Sequence, residues 1–151
     1  MFEIYADGAC QPNPGVGGWA FLLKNPDESD SEVIGSGSEA KATNNQMELT
    51  GILQGLRHFN ANCSSRLKII MDSSYCIDGM RSWRHNWVKN NWRKKDGKPV
   101  LNVDLWKSVH EELQRIKEVE FELVKGHSGH PENTICDKIA VQEIKKRNGK
   151  T

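Results

Sequence analysis

Residues 66–72 read Arg-Leu-Lys-Ile-Ile-Met-Asp. Leu67, Ile69 and Met71 alternate along this stretch, which is the period of a β-strand. A helix precedes it, because Leu49, Ile52, Leu53, Leu56 and Phe59 recur at helical spacing and make one apolar stripe. A strand reached through a helix is placed to run parallel to an earlier strand. That reading turns what would otherwise be a plain antiparallel meander into a mixed α/β sheet.

The meander lies upstream. Phe2 to Asp7 alternates as a first strand, and Gln11 to Gly18, rich in Gly and Pro, is a turn. Gly18 to Lys24 is a second strand, Asn25 to Ser31 a polar hairpin loop, and Glu32 to Ser38 a third strand. The helix begins at Thr43, where Thr-Asn-Asn-Gln matches a capping box. Downstream of Asp72 a helix is expected to about Trp83, then short helical pieces joined by a loop around Asp96-Gly97. Asn102 is placed to cap a helix from Val103 to about Ile116. Val119 to Lys125 alternates as a fifth strand. Pro131 is suited to the first position of a last helix, with Ile135, Ile139 and Ile144 turned inward. The expected order is β-β-β-α-β-α-α-β-α: an α/β domain with a five-stranded mixed sheet, three antiparallel strands then two parallel, flanked by helices.

The bulk properties narrow the class. With 151 residues, the chain is expected to form a single domain, 1–151, with a substantial core. No run approaches the roughly 18 apolar residues of a membrane span. The N-terminus reads as a strand rather than a secretory signal, so a cytoplasmic location is expected. Cys10, Cys63, Cys76 and Cys136 form no C-x-x-C pair, which fits reduced thiols. A zinc site from His127, His130 and Cys136 matches no common ligand spacing. The net charge is +1, but Arg81 to Lys98 holds seven Lys or Arg residues, one acid (Asp96) and three of the five tryptophans. Such a basic, aromatic segment marks a local polyanion-binding surface. Trp19 and Trp106 read as core; Trp87 and Trp92 stand among polar neighbours and do not.

Four carboxylates could carry chemistry. Asp7 and Asp72 end the first and fourth strands, so parallel pairing would bring both to one carboxyl edge of the sheet, where α/β sheets place ligands. Each alone could equally be a turn or helix cap. Glu48 lies one turn into the first helix at the border of its apolar stripe, and Asp137 lies in the first turns of the last helix. Each alone reads as a solvated acid near a helix N-terminus. Gathered together, the four would repel one another unless a hard cation such as Mg²⁺ neutralised them. His127, in a Gly-rich turn, is either a proton carrier or a loop histidine, and His130 reads as a brace for that turn.

The motifs YADGACQPNPGVGGW, TNNQMEL, MDSSYC, WRHNWVKNNWRKKDGKPVLNVDLW and VKGHSGHPENTICD occur in order from Tyr5 to Asp137. Together they resemble the bacterial type of cellular ribonuclease H (type 1), over nearly the whole chain, from Phe2 to about Ile144. The resemblance implies the ribonuclease H-like fold and an endonuclease that hydrolyses the RNA strand of RNA–DNA hybrids by two-metal-ion catalysis, leaving 5′-phosphate and 3′-hydroxyl ends. It implies two Mg²⁺ ions, with Mn²⁺ as a substitute, held by Asp7, Glu48, Asp72 and Asp137. Asp7 would bridge the ions, and His127 would be the mobile active-site histidine. Contacts near the ribose hydroxyls map onto Cys10, Asn13, Asn44, Asn45 and Ser74, and a phosphate pocket for the DNA strand onto Thr43. The tryptophan-rich segment resembles the family's substrate-binding protrusion, with Trp83, Trp87 and Lys89 as contacts. Departures are Thr134-Ile135 in place of a polar, often Glu-Arg, pair and Ser74 where glutamine is common. Two alternatives stand beside this: a non-catalytic hybrid-binding module, and a DNA-cleaving nuclease of the same architecture. A monomer without an obligate protein partner is expected.

Overall fold

Three antiparallel strands open the chain: β1 (Phe2–Gln11), β2 (Gly15–Lys24) and β3 (Val33–Ala42). The computed structural model describes residues 1–28, 31–62, 66–125 and 130–149. Helix α1 (Asn44–Asn62) leads to β4 (Arg66–Met71). Then come α2 (Ser74–Asp78), a π-helical turn (Gly79–Trp83) and α3 (Arg84–Lys89). Helix α4 (Val103–Gln114), β5 (Glu118–Leu123) and α5 (Pro131–Arg147) complete the order. The sheet runs β3-β2-β1-β4-β5, with β1 and β4 as parallel neighbours and β4 parallel to β5. The fold is the mixed five-stranded sheet expected from the sequence.

The pleat divides the core in two. Ile4 and Ala6 of β1 and Leu67, Ile69 and Met71 of β4 face a large core closed by α1 and α4. Tyr5 of β1, Leu22 of β2 and Ile70 of β4 pack with Cys136 of α5 on the other face. Full burial of a Leu or Ile side chain is worth roughly 1.5–3 kcal/mol, so these two layers hold the helices to the sheet. Helix α5 sits very close, since a Cβ on Gly18 would lie 2.1 Å from the Ala140 carbonyl oxygen.

Several expectations need correction. β1 does not end at Asp7. It continues to Gln11 because β2 stays paired with it, whereas pairing with β4 stops at Tyr5–Ile70. Asp7 therefore sits where the parallel pair opens, inside a longer strand. The turn shortens to residues 12–14, because β2 already begins at Gly15. The helix after Asp72 does not stop near Trp83 but runs through the π-turn to Lys89. Asn102 precedes α4 with left-handed backbone (φ 60°) and makes no side-chain cap. Its amide instead donates to the Tyr75 hydroxyl at 3.1 Å. Ile135 is exposed; the inward stripe of α5 is Asn133, Cys136, Ala140 and Ile144. Ile144 is buried as expected and Ile139 packs partly on the same core, while the small Ala140 lies where the helix comes closest to β2.

Candidate active site

The site begins with a cap. The Thr43 hydroxyl accepts from the Gln46 amide at 3.2 Å, and the Gln46 side chain accepts from the Thr43 amide at 2.9 Å. This reciprocal box fixes the first turn of α1, and Glu48 lies within that turn's reach. Gly8 of β1 then lets the helix approach. A Cβ there would stand 2.4 Å from the Glu48 amide nitrogen and 2.3 Å from the Met47 carbonyl carbon. Only a residue without a side chain tolerates this contact. Sequence reasoning missed Gly8; its signal was the Asp-Gly step, which reads equally as a turn.

The result is a carboxylate cluster. Asp7, Glu48 and Asp72 each offer an oxygen, and these oxygens lie within 4.8 Å of one another. Asp7 is buried, and its own carboxylate accepts from the Gly8 amide at 2.8 Å. Burial pushes the Asp7 pKa up to about 8, with the charges of Asp72 and Glu48 adding to it; the Gly8 bond works in the other direction. Glu48 rises to about 7 for the same reasons, burial first and Asp72 second, against a hydrogen bond from Ser73. Asp137 stands outside the trio, but its charge also raises both groups. Ser73 is a second residue that sequence reasoning missed. It caps α2 by accepting from the Cys76 amide at 3.1 Å and also bonds Glu48.

The donor set fits a hard divalent cation. It is made of carboxylate oxygens only, and one of them, Glu48 Oε2, is buried without any hydrogen-bond partner. A cation would satisfy that buried oxygen and relieve the repulsion among the three acids, in place of the protons their raised pKa values hold. Among the described residues no Cys–His grouping competes. Cys136 is buried against the Tyr5 carbonyl, with its thiol pushed up to about 12 by burial and the charge of Asp7. His130 pairs with Glu122 at 2.9 Å, a brace between the start of α5 and β5. His127 lies outside the described residues.

The expected substrate contacts fall into two groups. Around the cap, the Asn44 carboxamide oxygen accepts from the Cys10 amide at 2.7 Å, and the Asn44 amide donates to Asn13 Oδ1 at 3.1 Å. Both side chains thus commit their oxygens inward and keep NH₂ groups as donors. Cys10 itself is buried, and its amide is committed to Asn44. Asn45 and Ser74 are exposed, the latter at the first position of α2.

The second group is the basic segment. Trp83 is 40% exposed and meets Trp87 at a tilt, 6.0 Å between ring centres; Trp87 in turn meets Trp92 at 6.1 Å and the core Trp106 at 5.1 Å. Trp87 and Trp92 are therefore half-buried extensions of the core, not the free aromatics their neighbours suggested. Lys89 lines an open cleft of about 590 Å³ with Asn90, Asn91, Arg93, Lys94 and Lys95.

The RNase H family model matches residues 1–145. A ribonuclease H of Rhodopirellula baltica is 44% identical over 142 residues, covering 92% of this chain and 87% of that protein. Among solved structures, LC9-RNase H1, described as a type 1 RNase H with the type 2 active-site motif, is 30% identical. It superposes with a TM-score of 0.82 over 99% of this chain and 73% of its own. LC11-RNase H1, solved in complex with an RNA/DNA hybrid, is 18% identical with a TM-score of 0.74, covers 98% of this chain and 99% of its own, and shares the fold.

Proposed function

Because the chain belongs to the ribonuclease H family, we propose that it is an endoribonuclease that hydrolyses the RNA strand of RNA–DNA hybrids at the carboxylate cluster. The observation that supports this most is the convergence of Asp7, Glu48 and Asp72 from three separate elements around an orphaned carboxylate oxygen. Asp7, Glu48 and Asp72 would hold one Mg²⁺, and Asp137 together with Asp7 a second. When bound, such ions supply Lewis acidity at the scissile phosphate and a nucleophilic water at neutral pH. The protein's part is to keep the acids fixed. Gly8 holds α1 against β1, Ser73 orients Glu48, and the Gly8 amide orients Asp7. The products would carry 5′-phosphate and 3′-hydroxyl ends, and His127 would assist proton movement and product departure.

Recognition follows from the two remaining groups. A protein tells RNA from DNA through the 2′-hydroxyl. Asn13, Asn44 and Asn45 would offer amide donors to it, and Ser74 a hydroxyl. The backbone of Cys10 completes this edge. Thr43 at the start of α1 would seat a phosphate of the DNA strand, where the helix N-terminus favours an anion. The exposed edge of Trp83, supported by Trp87, would lie against DNA sugars, and Lys89 with its basic neighbours would neutralise phosphates without reading sequence. Among the described residues no helix is long and apolar enough to cross a membrane. We place the enzyme in the cytoplasm as a monomer.

The test is cleavage of a labelled RNA–DNA hybrid with Mg²⁺, beside single-stranded RNA, duplex RNA and duplex DNA, with EDTA as control. Metal-dependent loss of RNA in the hybrid alone supports the proposal. Binding without cleavage would reduce the protein to a recognition module, and cutting of duplex DNA would move it to another nuclease class.

A further inference from the structure

One buried charge has no part in the chemistry above. Arg84, the first residue of α3, is 9% exposed. Its Nε donates to the Met80 carbonyl at 2.6 Å, and its Nη1 lies 3.0 Å from His110 Nδ1 on α4. Among the described residues no carboxylate forms an ion pair with it. Burying a guanidinium without a counter-charge is unfavourable. The two hydrogen bonds therefore have to compensate, and both are structural: one is to a carbonyl at the π-turn, the other is to a neighbouring helix. Arginine does not deprotonate, so Nδ1 of His110 is the acceptor and the imidazole is neutral with its proton on Nε2.

His110 also touches the far end of the same segment. The Trp92 ring meets it edge-on at 5.7 Å. Both ends of residues 84–92 are thus held by one side chain on α4. Between them the backbone is strained, since Asn91 and Trp92 adopt φ of 56° and 61°. A bulky residue holds a left-handed conformation only where its surroundings impose it. Arg93, Lys94 and Lys95, which line the basic cleft, follow directly.

We infer that Arg84 and His110 form a latch that fixes the tryptophan-rich segment in the pose that binds nucleic acid. They are positioning residues, acting through Trp83, Trp92 and the basic loop rather than touching the reacting atoms. The inference rests on the hybrid-binding reading given above. The latch has a built-in dependence on acid. Protonation of His110 would set an N–H against an N–H and two cations face to face. The groups around His110 are Arg84 and His85 of α3, the Trp92 ring, and Glu111 beside it on α4. Burial, then the charges of Arg84 and His85, hold its pKa below the usual histidine value, against Glu111. The latch therefore stays closed at neutral pH and opens only under acid conditions.

The experiment is anisotropy of a fluorescein-labelled RNA–DNA hybrid, without divalent metal, at about pH 8 and about pH 5.5. It uses wild type, Arg84→Leu, His110→Leu and His110→Gln, with near-UV circular dichroism of the tryptophans and steady-state kcat and KM with Mg²⁺. Gln can still accept from Arg84 but cannot titrate. Both Leu variants should weaken binding about tenfold and alter the tryptophan spectrum. Their kcat at saturating hybrid should stay within about twofold of wild type. Protonation of Asp7 and Glu48 at the lower pH favours anion binding in every variant, so the latch is read from the difference: wild type should lose affinity at the lower pH relative to His110→Gln. Wild-type affinity in the Leu variants would overturn the latch, as would an acid response in His110→Gln equal to that of wild type. Those two readouts hold even where one Leu variant fails to fold. A wild-type protein that does not bind hybrid at either pH would instead overturn the functional reading, and the latch with it.

Discussion

The Cys10 amide donates to Asn44 Oδ1 at 2.7 Å, and this bond ties β1 to the first turn of the helix that carries Glu48. One side chain thereby joins the proposed recognition edge to the element that carries part of the carboxylate cluster. Asn44→Ala should leave the Cys10 amide unpaired, cost about 1–3 kcal/mol of stability and raise KM for hybrid. Asn44→Asp keeps the acceptor and loses the NH₂ donor. It should retain stability in urea titrations while still losing affinity, which separates the two roles of the side chain.

The capping box makes a second prediction. Thr43→Ala removes the acceptor for the Gln46 amide and should destabilise the protein by about 0.5–2 kcal/mol. Thermal denaturation reads this directly. The same variant should lower the retention of hybrid at moderate salt, because the turn that would seat a DNA phosphate frays.

The acid cluster links metal, protons and stability. Asp7 and Glu48 have folded pKa values of about 8 and about 7, above their ordinary values. Their contribution to metal-free stability is therefore fully present below the ordinary carboxylate range, and it is lost as pH rises through about 7 and then about 8. A divalent cation reverses this by replacing the protons. The rise in melting temperature on adding Mg²⁺ should grow between about pH 6 and about pH 8.5, with proton release in weakly buffered titrations. A gain that stays constant with pH would show that the cation binds elsewhere.

Much of this was legible in the chain and part of it was not. The Thr43–Gln46 box, the stripe on α1 and the alternation of residues 66–71 are local patterns, and each formed as read. The approach of Glu48 to Asp7 depends on Gly8 lying against the backbone of residues 47 and 48, a tertiary contact that no period reveals. Asn102 did not cap α4 because its backbone is left-handed rather than extended as an N-cap requires, and its side-chain NH₂ reaches the Tyr75 hydroxyl, 27 residues away. Ile135 misled because Asn133 and Cys136 take the inner face of that turn of α5 and leave it outside, whereas Ile144 is buried as read. Trp87 misled in the opposite sense: polar neighbours in sequence hid an edge-to-face aromatic cluster reaching into Trp106.

That aromatic cluster also carries a prediction. A Cβ on Gly79 would lie 2.1 Å from the ring of Trp106, so Gly79→Ala must displace the indole or the π-turn. Overpacking of this kind costs typically 1–3 kcal/mol, so a loss of about that size is expected. The near-UV spectrum of the tryptophans should change with it, whereas Mg²⁺-induced stabilisation should remain. Loss of the metal response together with the spectrum would mean that the two halves of the molecule are not independent.

The most direct measurement is the cleavage rate of Asp7→Asn on a labelled RNA–DNA hybrid with Mg²⁺, alongside its affinity for the same hybrid. Asn keeps the size of the side chain and can still accept from the Gly8 amide, but carries no charge for a cation. The account predicts hybrid binding close to wild type and a rate lower by at least the roughly hundredfold lost when one transition-state electrostatic contact is removed. Cleavage near the wild-type rate would contradict it, because the cluster that Asp7 anchors could not then be the site of the reaction.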